Sequence, residues 1–218
     1  MVMENRTVVS GILEEEHRTI TPQKGIRTAH CRGRKDKIRG IKVYLKGSSP
    51  TAGLMQNSPY YERAAYIINV MLGLKLVPPT ILYLVKNSYD DGKDELMSAM
   101  KLVRGKRPSR REDDKPIVLD VFDYIIANTD RHDGNWLIKP SGRVWAIDNA
   151  YAFNTDHVYE IRDTYQLPVM LKRTIKKIVK NPKELRGTLL KLITRAEIND
   201  VLARMKYVLE QDKENKSK

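Results

Sequence analysis

A single cysteine, Cys31, serves the whole 218-residue chain. One thiol makes no intrachain disulfide and no multi-cysteine zinc site, so the chain reads as a protein of a reducing compartment. Long apolar runs are missing as well. No uninterrupted stretch reaches the roughly 18 residues that a membrane-crossing helix needs. The N-terminal MVMENRTVVSGILEEEH carries acids where a secretory signal would need an apolar core. The expected location is therefore the cytoplasm, or a host cell reached without a cleavable signal. Acids are scarce: 27 stand against 40 Lys and Arg, giving a net charge of +13 and a pI near 9.7. Such a balance favours anionic partners, among them nucleotides, acidic protein surfaces, nucleic acid and anionic lipid. There is no internal repeat, and nothing in the composition fixes the oligomeric state.

What is present divides into two lobes. Residues 19–46 read as short strands of an antiparallel meander, with turns at PQKG and at the RKDK tetrad. Between Arg18 and Lys46 ten basic residues stand against one acid, Asp36, so nine units of net charge gather there. A solvated strand face is the plain reading of most of them, and an acidic partner on this lobe is the functional one. Aromatic residues are not interleaved through the run, which gives stacking on single-stranded nucleic acid little support. Lys46 ends the alternating strand IKVYLKG and is preferred as a phosphate-reaching lysine, with Lys42 of the same parity as the alternative. Ser58, Pro59 and YYERAAYIINVMLGL predict a helix bearing Glu62. VPPTILYLVKN and KDELMSAMKLV predict two strands joined through SYDDG. The charged stretch after Val103 marks the lobe boundary, which gives an N-lobe over 1–104, a helical C-lobe over 105–210 and a disordered tail over 211–218. Helix patterns follow at IVLDVFDYIIAN after Pro116 and at three C-terminal segments. The last of these opens with Thr194 and Glu197 as a capping box.

The chemistry concentrates in VFDYIIANTDRHDGNWLIKPSGRVWAIDNAYAF, residues 121–153. Asp130, His132 and Asn135 lie on a polar turn, and Asp148 follows a strand-like run 18 residues after Asp130. An asparagine and an aspartate suit magnesium, a hard ion with oxygen ligands that shares its octahedron with phosphate oxygens and water. Phosphoryl transfer needs alignment and charge neutralisation more than covalent help. Asp130 would orient the accepting hydroxyl, Asn135 and Asp148 would hold metal, Lys46 would steady the phosphates of ATP, and Glu62 would pair with Lys46. Trp136 and Trp145 read as core residues, and His17, His30 and His157 show no metal-ligand spacing.

DRHDGNWL followed by AIDNAYAF, the YLKG lysine strand, the YYERAAYIINVMLGL helix running into VPPT, and the closing RAEINDVLARMKYVL helix together resemble the protein-kinase-like superfamily. Within it the phosphatidylinositol 3- and 4-kinase-like branch is the more similar; HipA-type toxin kinases share the arrangement with a less similar turn. The resemblance implies an α+β bilobal protein-kinase-like fold, with an antiparallel-sheet N-lobe plus one helix and a small, mostly helical C-lobe. It implies ATP and Mg2+ as cofactors, Asp130 as catalytic base, His132 in support, Asn135 and Asp148 as metal ligands, Lys46 and Glu62 as the nucleotide pair, and Met100, Lys101, Leu102 and Val103 as a hinge for adenine. Asn149 and Ala150 follow Asp148 where Phe-Gly would stand, and no Gly-x-Gly-x-x-Gly precedes the lysine strand. Ser or Thr of a protein is the expected acceptor. A lipid or small alcohol, and a non-catalytic basic binding module, are the alternatives. The loop 154–167, with Thr155, Tyr159, Thr164 and Tyr165, is an expected phosphorylation segment.

Overall fold

The computed structural model describes residues 33–38, 40–47, 58–85, 95–108, 115–154 and 166–214. The PQKG turn, Cys31, His17, His30, the SYDDG connection, His157 and the four hydroxyls of the expected phosphorylation loop lie outside the described residues. Packing separates two units. One comprises the described residues up to Pro59 with Pro79–Leu102; the other comprises Tyr60–Pro78 with everything from Val103 onward.

The first unit is a four-stranded antiparallel sheet. Its strands are β1 (Gly33–Ile38), β2 (Ile41–Gly47), β3 (Thr80–Val85) and β4 (Glu95–Lys101), in the order β1-β2-β4-β3. The RKDK tetrad, expected as a turn, is strand: Arg34 to Lys37 pair with Leu45 to Lys42. The reversal comes later, at Gly40, whose φ of +79° supplies the left-handed backbone of a tight hairpin turn. Along β2 burial alternates. Val43 and Leu45 enter a small core with Tyr83, Val85, Met97 and Ala99, while Tyr44 and Lys46 on the opposite face are half-buried.

The second unit holds helices α1 (Ser58–Met71), α2 (Ile117–Ile126), α3 (Val169–Lys180), α4 (Lys183–Leu189) and α5 (Arg195–Glu214), and a hairpin of β5 (Trp136–Ile138) and β6 (Val144–Ala146). The Glu62 helix, α1, groups here and not with the N-terminal strands, a correction to the expected boundary. Its stripe of Ala64, Ala65, Ile68 and Leu72 joins one apolar core with Phe122 and Ile125 of α2 and Ile198, Val201 and Met205 of α5. Burying a side chain such as Phe122 contributes roughly 1.5–3 kcal/mol. Asn69 closes the turn after α1 by accepting the amides of Leu76 and Val77 on its Oδ1.

The capping box forms as expected: Glu197 N donates to Thr194 Oγ1 at 3.2 Å and Glu197 Oε2 accepts the Thr194 amide at 2.6 Å. The expected tail begins too early, because α5 continues through residues 211–214. Asp212 is the reason: it is buried, accepts the Leu167 amide at 2.8 Å and pairs with Lys172 of α3. Trp136 is a core residue, whereas Trp145 is half-buried with Lys139 Nζ 3.5 Å from its ring centroid. At the end of α2, Ile126 O accepts the amide of Phe153 at 2.6 Å, and residues 127–152 depart from and return to this point. No helix among the described residues is long and apolar enough to cross a membrane.

Candidate active site

Helix α2 delivers the polar turn, and its own acids anchor it. Asp120 and Asp123 are one turn apart on a helix buried on most sides, and carboxylates without water need cations. Lys115 supplies one, with Nζ 2.8 Å from Asp120 Oδ1 and 3.0 Å from Asp123 Oδ2. Arg131 supplies the other, its Nε donating to the two Asp123 oxygens at 3.0 and 3.2 Å. The same guanidinium gives Nη1 to the carbonyls of Asn135, at 2.5 Å, and Ile147, and gives Nη2 to Asn149 Oδ1 at 2.5 Å. With its side chain 1% exposed, Arg131 fastens α2, the turn and the strand after it to one another.

Ala127 closes α2 in the left-handed region at φ 49°. Asn128 then accepts the Asp130 amide on Oδ1 at 3.2 Å, an Asx-turn that swings Asp130 outward. The Asp130 side chain is 41% exposed. Asn135 Nδ2 donates to Asp130 O at 2.8 Å and Asp130 Oδ2 at 3.1 Å, which leaves the Asn135 carbonyl Oδ1 as the end for an electropositive ligand. His132 accepts the Gly134 amide on Nδ1 at 2.9 Å, so its ring proton sits on Nε2, 3.9 Å from Asp130 Oδ2. A Cβ on Gly134 would stand 2.6 Å from His132 Cε1, so a side chain there would push the exposed imidazole aside.

The β5–β6 hairpin completes the constellation. Trp136 pairs with Ala146, and Ile147 donates its amide to Asn135 O at 3.0 Å, continuing the ladder by one residue. Asp148 therefore directly follows the cross-strand partner of Asn135. Behind it the buried Asn149 gives its amide to Glu62 Oε1 at 3.0 Å and its Nδ2 to Glu62 Oε2 at 3.2 Å.

Four of the expected residues, Asp130, His132, Asn135 and Asp148, are thus held on one turn and the hairpin beside it, and Glu62 joins them through Asn149. Lys46 belongs to the sheet unit, where Ser98 Oγ donates to its carbonyl at 3.3 Å; it is half-buried, whereas Lys42 is exposed. Of the expected hinge, Met100 lies between Tyr44 and Thr80 in the sheet register. The amides of Lys101 and Leu102 are committed to Pro79 O at 2.7 Å and Lys42 O at 2.9 Å, and Val103 follows them. Local sequence patterns assign no structural part to Lys115, Asp123 or Asn149. One signal was there: two acids spaced i, i+3 inside an apolar helix pattern require buried cations.

Residues 118–196 match the family model described as phosphatidylinositol 3- and 4-kinase. The fold is similar to the crystal structure of the golgi casein kinase, with a TM-score of 0.61 and 12% identity over 97% of this chain and 75% of that one. The chain has a protein-kinase-like fold. The crystal structure of a Helicobacter pylori proinflammatory kinase, CtkA, aligns with a TM-score of 0.49 and 13% identity over 90% of this chain and 96% of that one. No curated protein sequence matches. The matched segment starts inside α2 and ends in the first turn of α5, so it contains the whole turn and hairpin.

Proposed function

We propose that the chain is an ATP- and magnesium-dependent kinase that transfers the γ-phosphate to a hydroxyl, with Ser or Thr of a protein as acceptor. The observation that carries this reading is the half-exposed Asp130 carboxylate, held by Asn135 on a turn whose neighbouring strand presents Asp148. Asp130 orients the acceptor hydroxyl and takes its proton. The hydroxyl oxygen bonds to the γ-phosphorus as the bond from that phosphorus to the β–γ bridging oxygen breaks, and ADP leaves with the electron pair. His132 stiffens the turn through Gly134.

Asn135 Oδ1 and the Asp148 carboxylate form an oxygen donor set that fits magnesium. Magnesium would take its remaining ligands from phosphate and water. When bound, the ion neutralises charge on the transferring phosphates. Lys46, in the sheet unit, is assigned the nucleotide phosphates, and the segment from Met100 to Val103 the adenine.

A lipid hydroxyl is the second acceptor reading, favoured by the phosphatidylinositol-kinase family model over residues 118–196. Labelled ATP with magnesium, offered protein acceptors and phosphatidylinositol vesicles in parallel, separates the two. Label is expected on protein Ser or Thr, and Asp130→Ala is expected to lower its rate by roughly 10²–10⁴-fold. Label in the lipid alone transfers the assignment to the second reading. Equal labelling by Asp130→Ala, Asp148→Ala and the wild type removes the proposed site.

A further inference from the structure

Asp148 has φ 55°, a left-handed conformation that a residue with a side chain keeps only when its surroundings over-determine it. Both flanks of Asp148 are fixed. On the N-terminal side, Ile147 donates its amide to Asn135 O at 3.0 Å and offers its carbonyl to Arg131 Nη1. On the C-terminal side, three atoms of Asn149 are engaged: N and Nδ2 donate to the Glu62 carboxylate, and Oδ1 accepts from Arg131 Nη2 at 2.5 Å. Asn149 is fully buried, Glu62 is 3% exposed and the Arg131 side chain 1%. An amide is the side chain that can donate to an anion and accept from a cation at once. An aromatic ring at this position would do neither, and an aspartate would set its charge against that of Glu62.

We infer that Asn149 is a positioning residue that couples helix α1, through Glu62, and the 130–135 turn, through Arg131, to the backbone of Asp148. Its amide takes the place of packing: the orientation of Asp148 follows from bonds to two charged side chains, one 87 residues earlier in the chain and one 18 residues earlier. The role of Asp148 in holding metal-bound nucleotide rests on the kinase reading, whereas the coupling rests on the bonds alone.

Calorimetric titration of the full chain with a non-hydrolysable ATP analogue, with and without magnesium, tests the coupling. Magnesium is expected to tighten binding to the wild type. Asn149→Ala is expected to bind the metal-free analogue as the wild type does and to lose about 10–100-fold of magnesium-dependent affinity, the usual cost of removing a partner behind a metal ligand. Asp148→Ala is the reference and should lose the whole increment. If Asn149→Ala keeps the increment that Asp148→Ala loses, the inference is overturned and the kinase reading stands. If Asp148→Ala also keeps it, or the wild type shows none, the kinase reading fails.

A merely structural residue would weaken metal-free and metal-bound nucleotide alike, and that result also overturns the inference. Should Asn149→Ala not fold, Glu62→Gln keeps an acceptor for the Asn149 amide while turning a second donor toward Asn149 Nδ2. Hydrogen exchange of the ligand-free protein then supplies a second readout. Faster exchange in the peptide 146–150 is expected, and an unchanged rate there counts against the coupling.

Discussion

The two units place their candidate site side chains by different physical means. In the sheet unit, Lys46 owes its direction to strand alternation: Val43 and Leu45 turn inward, and Lys42, Tyr44 and Lys46 share the other face. In the helical unit no periodicity aims Asp130, Asn135 or Asp148. Asp130 is set by Asn128 and Asn135, and the backbone around Asn135 and Asp148 by bonds that converge on the buried Arg131 and on Asn149. A side chain placed by alternation can be exchanged with little effect on its neighbours, whereas one placed by a buried network cannot be removed without leaving charges unmatched.

The hardest blow to that contrast comes from Arg131. Arg131→Ala strands the Asp123 carboxylate with Lys115 alone and takes the guanidinium from the carbonyls of Asn135 and Ile147 and from Asn149 Oδ1, so urea denaturation should show a loss of about 3–5 kcal/mol. A loss below about 1 kcal/mol would mean that the network is decorative. Lys46→Met is the matching change in the sheet. Stability should move by less than about 1 kcal/mol, while phosphoryl transfer should fall on the order of a hundredfold or more; Lys42→Met should change neither. Equal losses of activity from both lysines would break the parity argument.

The mildest effect is alkaline. Tyr66 and Tyr124, both in the helical unit, have phenol pKa values raised above 10.0, first by burial; Arg63 opposes the shift at Tyr66, whereas at Tyr124 the neighbouring Tyr207 adds to it and Arg204 opposes it. The unfolded chain therefore loses these protons first, and stability present below pH 10 declines as pH rises through the raised values. Both tryptophans also lie in this unit, so the midpoint of urea unfolding followed by their fluorescence should fall above pH 10. A midpoint that holds steady there would show that the phenols are not restrained in the fold.

Local rules made much of the fold legible. The β2 alternation, the apolar stripe of α1, the Pro116 start of α2 and the Thr194–Glu197 box all depend on residues within a turn or a strand of each other. The turn from Asp130 to Asn135 was legible for the same reason. What escaped depends on distance. Glu62 meets Asn149 across 87 residues, so its acceptor role was invisible beside its expected pairing with Lys46. Asp212 reads as one more charge in a polar tail until Lys172 and the Leu167 amide are folded against it. The first hairpin turn is decided locally: Lys35 to Lys37 are strand despite their charges, and Gly40 has the backbone freedom that the reversal uses.

The hydrogen bond from Phe153 N to Ile126 O has a wider meaning for how this chemistry is housed. It draws shut the neck of the loop 127–152, with left-handed residues at both sides of the neck, Ala127 and Phe153. Closing a loop of that length costs about 3 kcal/mol of chain entropy, a charge that the helical core meets once, outside the loop. Asp130, Asn135, Asp148 and Asn149 all ride between those two points, and the stretch is moored to the rest of the unit by few contacts of known kind: the neck, the Asp123 and Glu62 carboxylates, and backbone bonds to Leu76 and Lys106.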